Sequence, residues 1–224
     1  IMTAESFAQC VPASDDFHPE TTLQGSWRIY DPAGDGTLTL TGANAQIAVP
    51  GGSSHDLYAG SANRAPRLLQ DATDGDFTIE VKFESMPSLK TQLQGLIVQQ
   101  DDDSFLRFGT YYDGSNLKLF CAWIDGGSAG TFFHGGTGGV TPYYLRVQRS
   151  GDNWTYRISG DGAAWQDAVT FSHAMVVDEV GFYAGNHNPN PAFTANADYF
   201  MNLACPIVDT DTPPATPPVI DLWY

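Results

Sequence analysis

Tyr143-Tyr144-Leu145-Arg146-Val147-Gln148-Arg149-Ser150-Gly151-Asp152-Asn153-Trp154-Thr155-Tyr156-Arg157-Ile158-Ser159-Gly160-Asp161-Gly162-Ala163-Ala164-Trp165 is the stretch on which the fold turns. Leu145 and Val147 alternate with Arg146 and Gln148. The run breaks at Ser150-Gly151-Asp152-Asn153, and Trp154, Tyr156 and Ile158 then alternate with Thr155, Arg157 and Ser159 before Gly160-Asp161-Gly162. Alternation of period two between Gly/Asp/Asn clusters predicts antiparallel hairpins with one buried face. The same pattern predicts strands near 26–31, 36–41, 45–49, 76–85, 92–100, 104–112, 116–124, 142–149, 154–159, 166–172, 177–185 and 194–203. No long amphipathic helix is legible. The fold class read from this pattern is all-β: a two-sheet antiparallel β-sandwich of the jelly-roll kind. The Gly-rich segment 126–139 has no lysine and no following helix, so it reads as a loop and not as a phosphate cradle.

Composition narrows the partners. The 224 residues carry 26 acidic and 10 basic side chains, for a net charge of −16. Such a surface repels phosphate backbones and anionic lipid, which argues against nucleic acid and membrane partners. No apolar run approaches membrane-spanning length, so no membrane insertion is expected. The acid is nearly all Asp, a residue favoured in turns and suited to Ca²⁺. Of the three cysteines, Cys10 precedes the first strand and Cys205 follows the last, and terminal strands of a sandwich often adjoin. A Cys10–Cys205 disulfide and a secreted or cell-surface location are therefore expected, with Cys121 as a buried free thiol. Three reduced thiols are the alternative.

The chain divides into a linker-like 1–13, a sandwich over 14–205, a Pro/Thr/Asp-rich spacer over 206–218 and an apolar hexamer, 219–224. The spacer composition cannot pack. The hexamer reads as the start of a following domain, which would make this one module of a larger secreted protein with neighbouring domains in the same polypeptide.

The order of motifs also resembles a known group. Asp16-Phe17, Trp27, His55-Asp56-Leu57-Tyr58 and Ala65-Pro66-Arg67-Leu68-Leu69-Gln70 come first. Gly75-Asp76-Phe77, Gln94-Gly95-Leu96-Ile97-Val98, Leu106-Arg107-Phe108 and Leu145-Arg146-Val147 follow. Ser159-Gly160-Asp161-Gly162 with Trp165, Val180-Gly181-Phe182-Tyr183-Ala184-Gly185-Asn186 and Ala197-Asp198-Tyr199-Phe200 close the series. Together they resemble the DUF1349 group of concanavalin A-like domains, related to laminin-G-like modules and to the sandwich appended to bacterial β-xylosidases. The resemblance implies a concanavalin A-like jelly roll, often found beside carbohydrate-active modules. It does not fix function, since binding modules, hydrolases and lyases share the scaffold.

A sugar site needs an aromatic face and fixed planar polar groups. His55, Asp56, Arg64, Arg67, Gln70, Arg107, Asn186 and His187 are the candidate polar cluster, with Tyr58, Tyr111 and Trp123 as candidate stacking platforms. Arg67 and Arg107 read equally well as buried Arg–Asp pairs that fix a loop. Trp27, Trp154 and Trp165 read as core. Asp16 and Asp198, in first and last strands expected to adjoin, are candidate ligands of a structural Ca²⁺, with Asp101-Asp102-Asp103 as a rival. Zinc is disfavoured, because no Cys/His set has ligand spacing. The leading expectation is a carbohydrate-binding module that tethers its polypeptide to poly- or oligosaccharide. The alternatives are a glycan-cleaving hydrolase or lyase using His55, Asp56 and nearby acids, and a calcium-stiffened structural or adhesive spacer. Neither the Glu-x-Asp-x-x-Glu string of related sandwich glucanases nor a Gly-x-Ser-x-Gly elbow is present. Adjacent strand residues point oppositely, so a His55–Asp56 dyad would need a loop to converge.

Overall fold

The computed structural model describes residues 10–58 and 63–209. The expected hexamer 219–224, the spacer beyond 209 and residues 1–9 lie outside the described residues. Fourteen strands run β1 (Arg28–Tyr30), β2 (Thr37–Leu40), β3 (Ala45–Val49), β4 (Arg67–Asp71), β5 (Phe77–Phe83), β6 (Gln92–Asp101) and β7 (Ser104–Tyr112). They continue as β8 (Leu117–Asp125), β9 (Ser128–Gly136), β10 (Tyr144–Ser150), β11 (Asn153–Ser159), β12 (Trp165–Ser172), β13 (Glu179–Asn186) and β14 (Phe193–Asn202). The first sheet orders them β1-β4-β13-β6-β7-β8-β9 and the second β12-β11-β10-β5-β14-β3-β2. Every pairing is antiparallel, for example Leu145 with Ile158 and Gln94 with Thr110. The chain is therefore an all-β, two-sheet sandwich. Among the described residues no helix is long and apolar enough to cross a membrane.

Alternation places the core. Leu145 and Val147 in β10 and Trp154, Tyr156 and Ile158 in β11 are fully buried and meet Leu96, Val98, Leu106 and Phe108 of the first sheet. Trp27 stands edge-on to Phe200 at 5.3 Å and to Phe182 at 6.1 Å. Burial of each such side chain stabilises by about 1.5–3 kcal/mol. Trp154 also satisfies its indole by donating from Nε1 to the His173 carbonyl at 2.9 Å. Trp165 departs from its expected place in the core. It lies half-buried on the outer face of the second sheet, with the Arg146 guanidinium 3.6 Å from its ring centroid.

Two strands escape the alternation rule. β9 occupies the segment expected to be a Gly-rich loop; it is an edge strand held by its ladder to β8, and little of it is buried. β4 falls between expected strands because both of its faces are covered, so residues Arg67 to Gln70 are all buried and show no alternation. The ends of the domain are tied together. Cys10 and Cys205 form a disulfide across 195 residues, with Cα atoms 6.3 Å apart, and Asn202 Nδ2 donates to the Pro12 carbonyl at 2.8 Å. Cys121 is the buried free thiol, its ionisation pushed far up by burial.

Candidate functional site

The first sheet has two apolar faces. One packs on the second sheet; the other carries Leu69, Leu93, Ile97, Phe105, Ala122, Ile124 and Tyr183, a separate buried cluster. What covers that outer face is the segment leading into β4, whose Leu57 and Ala65 join the cluster. This strap is fastened at several points. His55 bridges to Asn186 at the end of β13, Asp56 meets Arg107 of β7, and the Tyr58 hydroxyl lies 3.2 Å from Thr131 Oγ1 of β9. Asn63 donates to the Asp102 carbonyl in the β6–β7 turn. Gly185 makes the first fastening possible, because a Cβ there would stand 2.2 Å from the His55 carbonyl oxygen.

His55 and Asp56 point apart, as neighbouring extended residues must. The buried His55 ring spans Asn186 Oδ1 at 3.2 Å and Asp35 Oδ1 at 2.7 Å. Asn186 spends its amide protons on the carbonyls of Pro50 and Pro191, so its Oδ1 is the acceptor facing the ring. The hydrogen bond from His55 holds the Asp35 carboxyl below its ordinary value. His55 and Asn186 are thus fasteners of the strap. The acid beside His55 is Asp35, two residues before β2, and not Asp56.

Asp56 turns to the sheet. Its Oδ1 accepts from Arg107 NH1 at 2.9 Å and from the Leu57 amide at 2.7 Å. Arg107 is 3% exposed and lies between aromatic rings, 5.0 Å from the Phe120 centroid and 5.5 Å from that of Tyr183. Tyr183 reaches this position across Gly109, where a Cβ would stand 2.2 Å from its hydroxyl. Among the described residues, Arg107 Nε and the Tyr183 hydroxyl, both buried and on adjoining side chains, have no hydrogen-bond partner of ordinary geometry. Above the pair opens a cavity of about 130 Å³, lined by Asp56, Tyr58, Thr91, Leu93, Arg107, Tyr111, Phe120 and His187. Tyr58 stands edge-on to Phe120 at 5.3 Å, and Tyr111 is fixed by a 2.6 Å hydrogen bond to His134 Nε2. Burial raises the Tyr111 phenol, which therefore stays protonated at neutral pH. His187 forms the exposed rim, its Nδ1 3.7 Å from Asp56 Oδ2. Thr91 positions it: with φ at +66°, Thr91 accepts the His187 amide at 3.0 Å and donates its hydroxyl to the His187 carbonyl.

Of the candidate residues, Asp56, Tyr58, Arg107, Tyr111 and His187 converge here. The others do not. Arg67 is wholly buried between Tyr30 and Phe105, bonded to Gln99 and Asn63, and burial lowers its pKa to about 10. Its partners are amides, so neither the buried Arg–Asp pair nor a place in the cavity is realised. Arg64 is exposed and donates to the Ser54 carbonyl within the strap. Gln70 pins the backbone of Ala13, accepting at 2.8 Å and donating at 2.9 Å. Trp123 shares the parity of Leu119 and Cys121 in β8 and so faces the core side, stacked with His173. Thr91, Leu93 and Phe120 were not foreseen. The last two are apolar and alternate like core residues, so only a covered second face separates them from the core.

Asp16 and Asp198, expected as calcium ligands, stand on adjoining segments, Asp15 bridging to Phe200. Asp198 sits at a β-bulge in β14 and is engaged by Lys82, while Asp16 gathers with Asp15 and Glu20. This oxygen-only trio suits a hard cation in chemistry. Both Asp15 oxygens are already engaged, by the Phe17 amide and by Trp27 Nε1. A second hollow of about 510 Å³, lined by Asp35, Thr37, Pro50, Ser88, Gln92 and Thr194 among others, offers no convergent charged pair and no exposed ring.

Comparison with solved structures places the fold. The GH43 BlXynB protein from Bacillus licheniformis superposes with a TM-score of 0.66 at 17% identity over 84% of this chain and 38% of that one. A functionally unknown protein from Saccharomyces cerevisiae gives 0.63 at 13% identity, over 79% and 96% of the two chains. The CBM2 module of the evolved Dit of Lactobacillus casei BL23 phage J-1 gives 0.54 at 11% identity, over 84% and 93%. The chain thus spans less than half the length of the GH43 protein it matches. No family model and no curated protein matches the sequence. At these identities the likeness establishes a shared β-sandwich fold.

Proposed function

We propose that this domain is an extracellular carbohydrate-binding module that tethers a larger polypeptide to poly- or oligosaccharide through the strap-covered face. The observation that carries the reading is the buried Asp56–Arg107 pair at the base of a cavity walled by Tyr58, Tyr111 and Phe120. A fixed carboxylate beside a fixed guanidinium offers an acceptor and donors to adjacent hydroxyls, and rings supply the apolar surface a pyranose face needs. The likeness to a GH43 protein and to a CBM2 module, one named as a glycoside hydrolase family member and one as a module, supports the class. The Cys10–Cys205 disulfide fits an oxidising, extracellular setting.

Binding is favoured over cleavage by one feature of the lining. Retaining and inverting glycosidases work with a pair of carboxyl groups, and Asp56 is the single carboxylate among the residues that line the cavity. The His55–Asp56 dyad that a catalytic reading would use is absent, because His55 faces Asp35. The test is a glycan array probed with and without Ca²⁺, with product analysis on each positive glycan. Binding without new reducing ends or unsaturated products is expected, and His187→Ala should weaken it. Product formation would replace the module with an enzyme, and silence across the array would leave a structural spacer.

A further inference from the structure

The outer face of the first sheet carries aromatic surface beyond the hollow over Asp56 and Arg107. Residues directly opposite each other in neighbouring strands present their side chains on the same face. The ladders across β7, β8 and β9 set Gly109 against Phe120 and Phe120 against His134. His134 therefore stands on the outer face, one strand beyond Phe120 and on the edge strand of the sheet. Its ring meets Phe120 edge to face at 5.6 Å and lies 5.8 Å from Tyr111, whose hydroxyl is 2.6 Å from Nε2. Tyr111 and Phe120 are half-buried, and His134 is exposed. The three rings form one row that crosses the strands from the hollow to the edge at β9. On one side of it the Tyr58 hydroxyl meets Thr131, and on the other Lys118 pairs with Asp113 at 3.4 Å. Gly136, opposite Lys118, adds no side chain to the edge.

We infer that a bound glycan lies across the strands, with one residue over the hollow and a following residue over Phe120 and His134, so that His134 is a contact residue of a second subsite. The inference rests on the sugar-binding reading above and adds the direction of the chain and a further contact residue. Span supports it. Strands lie about 4.8 Å apart, so β7 and β9 are about 10 Å from each other, more than one sugar ring covers. The chemistry of the outer end supports it too. Among the described residues, His134 Nδ1 has no hydrogen-bond partner, and an imidazole nitrogen can serve a sugar hydroxyl as donor or acceptor. Phe120 beside it supplies the apolar surface that a pyranose face needs. The same contacts would also let His134 act only by positioning Tyr111, and the two roles differ in how affinity depends on chain length.

The experiment is titration calorimetry of the whole chain with cello-, xylo-, manno- and β-1,3-gluco-oligosaccharides of one to six residues, repeated with His134→Gln and Tyr111→Phe. His134→Gln removes the ring but keeps an amide that can accept the Tyr111 hydroxyl; Tyr111→Phe removes that hydroxyl and keeps the His134 ring. A second subsite predicts affinity that rises about tenfold or more from the shortest bound oligomer to the longest. His134→Gln should remove most of that rise, so that its loss grows with length. Equal losses at every length, reproduced by Tyr111→Phe, would show that His134 only positions Tyr111 and would overturn the inference while leaving sugar binding intact. Affinity independent of length in the unsubstituted chain would overturn it as well. A readout that needs no variant is the His134 imidazole resonances, which should shift with the longest oligomer and much less with the shortest; equal or absent shifts would contradict the second subsite. No binding by any oligomer, with a silent array, would remove the sugar reading itself and this inference with it.

Discussion

The two outer faces of this sandwich use the same chemistry to different ends. On the second sheet, Arg146 meets Glu80 at 2.8 Å, Arg157 meets Asp167 at 2.7 Å, and Lys82 meets Asp198. Glu80 and Asp198 are buried beneath their half-buried partners, Arg157–Asp167 is the pair open to water at both members, and Trp165 lies under Arg146. On the first sheet Arg28 meets Glu179 near the edge, while the Asp56–Arg107 pair sits beneath a strap, with aromatic rings on either side of the guanidinium. Exposed ion pairs exchange one hydration shell for another and contribute little. A buried pair is different: its net stabilisation is small, but losing one member leaves a charge that water cannot reach. The location of a charge pair, more than its geometry, therefore separates a solvated surface from a site.

The largest contrast is expected between Arg107→Ala and Arg157→Ala. Removing Arg107 strands Asp56 and should cost about 3–5 kcal/mol of stability. Removing Arg157, whose partner Asp167 is 59% exposed, should cost about 0–1 kcal/mol. Urea denaturation of both variants measures this, and equal losses would erase the distinction between the faces. Next in size is the aromatic comparison. Tyr111→Ala should weaken glycan binding about tenfold, the equivalent of about 1.4 kcal/mol, whereas Trp165→Ala should leave it unchanged by calorimetry. A larger loss from Trp165 would move the binding surface to the second sheet.

The smallest effect is a pH response. The folded-state carboxyl of Asp35 is held below 3.8 by its hydrogen bond from His55. A lowered carboxylate value means that the contribution is fully present above the unfolded value and is lost as pH falls through and below it. Asp35→Asn should therefore flatten part of the acid limb of stability below about pH 4. The Asp35 side chain is 41% exposed, so the change is small and shrinks further with added salt. An acid limb identical to that of the unmodified chain would show that this fastener contributes nothing to the strap.

Legibility in the sequence followed which faces of a strand are covered. β10 and β11 each bury one face, so Leu145, Val147, Trp154 and Ile158 alternate with polar residues and the hairpin can be read directly. The first sheet is covered on both sides, and there alternation fails: β4 is hidden because Arg67, Leu68, Leu69 and Gln70 are all buried. The same cause limited the site. Asp56, Tyr58, Arg107, Tyr111 and His187 stand out as polar or aromatic groups in apolar or loop settings. Leu93 and Phe120 look like core, and Trp123 looks like a platform although its parity turns it inward. The Asp35–His55 contact joins residues 20 positions apart through a turn. Asp35-Gly36 carries no mark in the sequence beyond that of an ordinary turn.

The central claim is that glycans bind the strap-covered face, and amide chemical-shift mapping tests it most directly. The ¹⁵N-labelled chain is titrated with the strongest glycan from the array. The account predicts shifts concentrated at Asp56, Tyr58, Thr91, Leu93, Arg107, Tyr111, Phe120 and His187, with Tyr144, Arg146, Trp165 and Tyr199 unmoved. Shifts centred on those last four residues, with the cavity silent, would contradict it.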